Sequence, residues 1–272
     1  MRVLLRVAYD GSNYSGWQVQ PNAVTVEGEL QKALNHLFGG EVPMIGASRT
    51  DAGVHAYGNV AVIDVNTLIP AEKIPYAINA GLPEDIRIQG AAVVPDDFHP
   101  RHTDCVKKYR YSIWNDTFEN PMGRLYMNFV YGNLNVDSMN EAAKAFVGTH
   151  DFSSFCAAGS QVEDKTRTIF SLDVIRSGSR IDIEVTGNGF LYNMVRIIAG
   201  TLIRVGQGCL QADDIPKIIE GKNRQLAGPT APARGLALVE IKYKDIESSY
   251  GFCLFCSMGL PRAAERFARK RR

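Results

Sequence analysis

Residues 166–186 read TRTIFSLDVIRSGSRIDIEVT, and this stretch sets the fold class. In its second run Ile181, Ile183 and Val185 alternate with Asp182 and Glu184. That is the period of a strand with one buried and one wet face. Ser177-Gly178-Ser179 supplies a reversal between the two runs, so 166–176 and 180–186 are predicted to form an antiparallel hairpin. Upstream, residues 106–114 alternate in the same way, with Tyr109, Tyr111 and Ile113 on one face and Lys108 and Arg110 on the other. A strand near 126–130 and a helix over 136–147, capped by Asn135 and closed by Gly148, follow from the turn and cap residues. Downstream come a helix over 191–205, a short helix near 213–220, a Pro/Gly loop from 221 to 235 and a last strand over 236–243.

The first hundred residues repeat this design. Val3, Leu5, Val7 and Tyr9 mark a strand. Thr25 caps a helix whose apolar positions Val26, Leu30, Ala33, Leu34 and Leu37 recur at helical spacing until Gly39-Gly40 ends it. Strands from about 42, over 57–65 and over 86–94, with a weaker helix near 71–80, complete the half before Pro95, His99 and Pro100 interrupt the pattern. Hairpins mixed with helices predict an α+β fold. We expect two ferredoxin-like-type α/β halves, 1–100 and 101–243, whose sheets join into one extended, mainly antiparallel sheet with a central catalytic cleft. Residues 244–272 form a basic extension that includes Arg262, Arg266, Arg269, Lys270, Arg271 and Arg272.

Composition narrows the function classes less sharply. A chain of 272 residues with 45% hydrophobic content buries one large core or two small ones. The formal net charge is only +1, so a polyanion has to be held by a local patch. The opening apolar run is too short for a signal peptide and no later run reaches the length of a membrane span, so a soluble cytoplasmic protein is expected. Five scattered cysteines fit reduced thiols, and the lone C-x-x-C of Cys253 and Cys256 lacks the second ligand pair that a zinc site needs.

Between two of the predicted strands lies Ala47-Ser48-Arg49-Thr50-Asp51-Ala52-Gly53-Val54-His55-Ala56. Its small residues let the backbone turn tightly beneath a ligand. Taken alone, an Asp before Ala-Gly is a turn former that bonds its own backbone. However, residues 49–56 match the signature R-T-D-A-G-V-H-A, and the chain resembles the TruA family of tRNA pseudouridine synthases. The resemblance extends through Tyr9-Asp10-Gly11, Gly16-Trp17-Gln18, Lys108-Tyr109-Arg110-Tyr111, Gly148-Thr149-His150-Asp151-Phe152, the stretch from Phe190 to Arg196, Gly200-Thr201-Leu202 and the stretch from Ala231 to Leu236. Ser48 departs from it, standing where the family usually has glycine, and nothing beyond Tyr243 has a counterpart.

The resemblance implies a cofactor-free and metal-free isomerase acting on uridines 38 to 40 of the tRNA anticodon stem-loop, working as a homodimer. It makes Asp51 the catalytic carboxylate, either attacking C1′ or removing the 2′ proton. Arg196 becomes the cation that keeps Asp51 ionised. Tyr109 becomes the plate on which the target base stacks, and Arg49 the residue that holds the nucleotide out of its stack. Lys108 and Arg110 join the substrate-binding set, while His55 supports the loop. A non-catalytic RNA-binding module would share the basic and aromatic residues but would have no use for a carboxylate that repels phosphate. A hydrolase using Asp51 and His55 as an acid/base pair would need no RNA.

Overall fold

The computed structural model describes residues 1–160 and 162–247. The C-x-x-C cysteines and the basic residues of the extension lie outside the described residues. The amino-terminal half contains β1 (Arg2–Tyr9), α1 (Val26–Phe38), β2 (Met44–Gly46), β3 (His55–Asp64), α2 (Ile74–Asn79) and β4 (Ile86–Val94). Then follow β5 (Cys105–Asn115), β6 (Asn128–Val130), α3 (Val136–Lys144), β7 (Gly148–Asp151), β8 (Thr166–Ser177), β9 (Arg180–Gly187), α4 (Met194–Gly206), α5 (Asp214–Glu220), β10 (Leu236–Tyr243) and α6 (Lys244–Glu247). All ten strands belong to one sheet in the order β4-β1-β3-β10-β5-β9-β8-β7, with β2 on β3 and β6 on β5. Pairing is antiparallel except for β10 on β3 and β6 on β5. The fold is therefore the expected α+β arrangement with an extended, mainly antiparallel sheet.

Local chemistry accounts for most of these elements. Thr25 accepts from Gly28 N at 3.2 Å and opens α1, and Gly39 closes it in the left-handed region at φ 72°. Leu30 and Leu34 are fully buried beneath it, worth about 2 kcal/mol each. Asn135 accepts from Ser138 N at 3.0 Å to open α3. That helix stops at Lys144, three residues early, because Ala145 to Val147 form a tighter turn. The helix expected from Leu191 begins at Met194 instead, since Asn193 takes φ 58° and lies outside the helical basin. β7 was not expected: its residues Gly-Thr-His-Asp carry no apolar alternation and join the sheet by pairing with β8, where the Thr149 and Thr168 hydroxyls meet at 2.8 Å.

The two halves meet edge to edge through the last strand of the second. That strand, β10, is in register with β5 from Leu236↔Tyr111 to Tyr243↔Cys105 and pairs with β3 of the first half at Ala237↔His55 and Leu238↔Ala56. The helices pack on one face, where Val3, Leu5, Val7, Tyr111, Ile113, Ile183 and Val185 are fully or almost fully buried. The loop before β10 is pressed onto α4: Gly228 N donates to Thr201 Oγ1 at 2.9 Å and Ala231 N to Arg196 O at 3.1 Å. A Cβ on Gly200 would lie 1.8 Å from Pro229 O. We therefore expect Gly200→Ala to cost about 3 kcal/mol through overpacking, read as a lowered urea midpoint; an unchanged midpoint would mean that the loop stands off the helix.

Candidate active site

Asp51 lies on the loop between β2 and β3, and that loop is anchored in the amino-terminal half. Trp17 N donates to Thr50 O at 3.0 Å and Gly53 N to Tyr14 O at 3.2 Å. The Tyr9 hydroxyl meets Thr50 Oγ1 at 2.7 Å, and Asn59 Nδ2 donates to Ser48 O at 3.0 Å. Gly16 takes φ 92°, and a Cβ there would fall 2.6 Å from Thr50 O, so glycine is what lets the supporting turn approach so closely. The Asp51 carboxylate is not spent on its own turn. Its Oδ2 accepts from Arg196 Nη1 at 3.2 Å across the cleft.

Arg196 sits in the first turn of α4 among the buried Met194, Val195, Ile197 and Ile198. A guanidinium in that setting needs partners, and it has three: Nε donates to Ala231 O at 2.8 Å, and Nη1 donates to Asn193 Oδ1 at 2.6 Å as well as to Asp51. Two of these come from residues in unusual or pressed backbone, the left-handed Asn193 and the loop laid on α4. The guanidinium is thereby aimed before any ligand arrives.

Asp51 opens onto a cavity of about 850 Å³ whose wall includes Ser48, Arg49, Lys107, Tyr109, Phe190 and Leu236, with Arg196 behind the carboxylate. Tyr109, 8% exposed, meets Phe190 edge to face with ring centroids 5.1 Å apart. Burial pushes its phenol up to about 12, so at neutral pH it is an uncharged plate and donor. Burial also pushes the Asp51 carboxyl up, and Arg196 offsets only part of that rise. Arg196 favours the charged form by charge and by hydrogen bond, as expected, while the Asp51 side chain, only 23% exposed, loses more hydration than that one guanidinium returns. Arg49 is exposed at the rim, with no hydrogen bond or ion pair among the described residues.

Lys108 and Arg110 are placed elsewhere. Strand alternation sends both to the opposite face of the sheet, where Glu184 takes Lys108 Nζ at 2.7 Å and Arg110 Nη2 at 2.8 Å. They pin β5 to β9 on the face opposite Tyr109, as the strand alternation predicts, and do not line the cavity. The same alternation brings Lys107, one of the basic residues the sequence offers to phosphates, to the Tyr109 face and into the cavity wall. His55 lies under the loop: its Nδ1 accepts from Gly11 N at 3.1 Å, and Nε2 lies 3.1 Å from Leu125 O and 3.2 Å from Arg234 O. With Asp10 and Tyr126 it borders a separate crevice of about 620 Å³ on the far face.

The family model described as tRNA pseudouridine synthase matches residues 6–102 and 142–244. The chain belongs to the tRNA pseudouridine synthase family. Among curated members, tRNA pseudouridine synthase A of Ruminiclostridium cellulolyticum is 50% identical over 243 residues, covering 89% of this chain and 99% of that protein. The Thermoanaerobacter sp. and Bacillus subtilis proteins of the same name are 49% and 45% identical, each across 89% of this chain and 99% of their own length. In this family member the segment between the two matched stretches, 103–141, contains β5 and Tyr109.

The raised Asp51 pKa gives a stability prediction. A carboxyl that holds its proton more tightly when folded loses stability as pH rises from the unfolded value through the folded one. At pH 7 Asp51→Asn removes that cost, so the variant should melt at or above the parent temperature; a clearly lower melting point would mean that the ion pair contributes net stability. Any activity that needs the ionised carboxylate should fall, as the solution is acidified, at a pH above the ordinary value of 3.8, read from the acid limb of kcat/KM.

Proposed function

We propose that this chain isomerises uridine to pseudouridine at positions 38 to 40 of the tRNA anticodon stem-loop, with Asp51 as the catalytic carboxylate. The observation that carries this reading is the facing of Asp51 and Arg196 from opposite halves over a cavity that also exposes Tyr109. The reaction breaks the bond from N1 to C1′, turns the uracil, and joins C5 to C1′, with the proton of C5 lost and one gained at N1. Nothing is oxidised or reduced. The protein has to supply a carboxylate at the sugar, stabilisation for charge as the base leaves, and a surface that retains the freed base. Asp51 acts at C1′ or on the 2′ proton, and Arg196 fixes its orientation. Tyr109 offers its ring to the uracil face. Arg49, uncommitted at the rim, holds the extruded nucleotide.

The hydrolase reading is weakened by distance in the fold. His55 opens on the far face of the sheet and spends both ring nitrogens on backbone partners, so it has no geometry for acid/base work with Asp51. We further propose that the chain acts in the cytoplasm as a homodimer. Among the described residues no helix is long and apolar enough to cross a membrane. The far face of the sheet supports the dimer, since Tyr57, Met122, Tyr126 and Ile175 are exposed there or on the segment that crosses it. Sedimentation of a Met122→Glu variant should give a lighter species than the parent protein.

Asp51→Asn and Asp51→Ala should abolish pseudouridine formation while leaving tRNA affinity within about tenfold, because one loop charge is minor against many phosphate contacts. Tritium release from C5 of labelled uridine measures the loss, and retained turnover in the Asn variant would remove Asp51 from this role. Tyr109→Phe should keep part of the rate and Tyr109→Ala very little. Normal modification by both would end the stacking assignment.

A further inference from the structure

The cations of the sheet divide into two kinds. On the far face Lys108 and Arg110 share Glu184, and Arg180 pairs with Asp182. On the cavity face Lys107 has no carboxylate partner among the described residues. Its Nζ donates to Ser48 Oγ at 2.9 Å and to Ala47 O at 3.3 Å, which leaves one of three ammonium protons for the cavity. The charges that act on it are the Cys105 thiol and the guanidinium groups of Arg101 and Arg167. These three cations line the same cavity as Asp51.

Each arginine is braced through backbone oxygens that leave its charge in place. Arg101 Nε donates to Gly46 O at 2.7 Å, and Arg167 Nη1 donates to Asp164 O at 3.0 Å and Thr166 O at 2.6 Å. Among the described residues, the carboxylates acting on these arginines are Glu27 toward Arg101 and Asp164 toward Arg167. Burial and the two guanidinium groups all depress the Lys107 pKa. A half-buried cluster that repels itself is retained when an anion from outside completes it. The cavity's own carboxylate does not serve, because Asp51 is engaged by Arg196.

We propose that Arg101, Lys107 and Arg167 form a subsite for one backbone phosphate beside the nucleotide presented to Asp51, with Lys107 as its floor. This rests on the reading of the cavity as the uridine site. Lys107 therefore fixes the RNA strand relative to Tyr109, two residues along the same strand face, and, through Ser48, senses the position of the catalytic loop. Ser48, which stands just before the loop signature where the family usually has glycine, supplies the hydroxyl that holds the ammonium in place.

The test uses the full chain carrying Asp51→Asn, so that turnover plays no part, and a fluorescent anticodon stem-loop transcript as probe. Dissociation constants are measured by anisotropy between 50 and 300 mM KCl, about the range over which counterion release is resolved. Lys107→Met and Arg101→Gln should each flatten the plot of log Kd against log salt by roughly 0.7 to 1. Lys107→Arg should keep the parent slope, and Lys144→Met, which removes an exposed charge on α3, should leave it unchanged. Inorganic sulfate should raise the melting temperature of the parent and not of Lys107→Met. If Lys107→Met does not fold, the Arg101→Gln slope and the Lys107→Arg rescue decide. Parent-like slopes in Lys107→Met and Arg101→Gln overturn the proposal. Absence of tritium release from the chain with Asp51 intact, together with flattened slopes, would overturn the isomerase reading and leave the phosphate subsite standing.

Discussion

The geometry of this protein depends on β10 lying between β3 of the first half and β5 of the second. Leu238 is in register with Ala56 of β3 on one side and Tyr109 of β5 on the other. One row of the sheet therefore places the exit of the Asp51 loop about 10 Å from Tyr109, two strand spacings apart. Nothing local to residues 47–56 or 105–115 sets that distance. It is set by a strand that follows them by more than a hundred residues, and the loop preceding that strand also clamps Arg196 through Ala231. One stretch of chain thus positions both the counter-charge of Asp51 and the floor of the cavity.

Reading the sequence recovered the elements whose signals are local. Thr25, Gly39 and Asn135 announce their helix ends by side-chain chemistry or left-handed backbone, and they act as expected. The alternation of 181–185 fixes the hairpin because one face is buried and the other wet. The signature at 49–56, carried by the family resemblance, led to the loop that the fold brings to the cleft. What was not legible is of another kind. Asn193 breaks the start of α4 with a left-handed conformation that spacing does not reveal. β7 exists only because β8 offers an edge. The insertion of β10 is a parallel pairing between distant segments, for which no local pattern exists.

Among the basic residues the sequence offers to phosphates, strand geometry separates Lys107 from its neighbours. Residues 107, 109, 111 and 113 share a face, whereas the family motif begins one residue later and its cations, Lys108 and Arg110, belong to the other face. The motif marks a strand, and alternation decides which of its charges reach the cavity. Glu184, opposite Arg110 across the β5–β9 ladder, explains why the motif cations belong to the far face.

The split anchoring of the ion pair has a mechanical side. Thr50 and Ser48 are tied down by Tyr9, Trp17 and Asn59, all in the first half, whereas the guanidinium is tied down by Asn193 and Ala231 in the second. The 3.2 Å link therefore ties together two separately braced frames, so its length is set by how the β3 side of the sheet stands against α4 and by neither anchor alone.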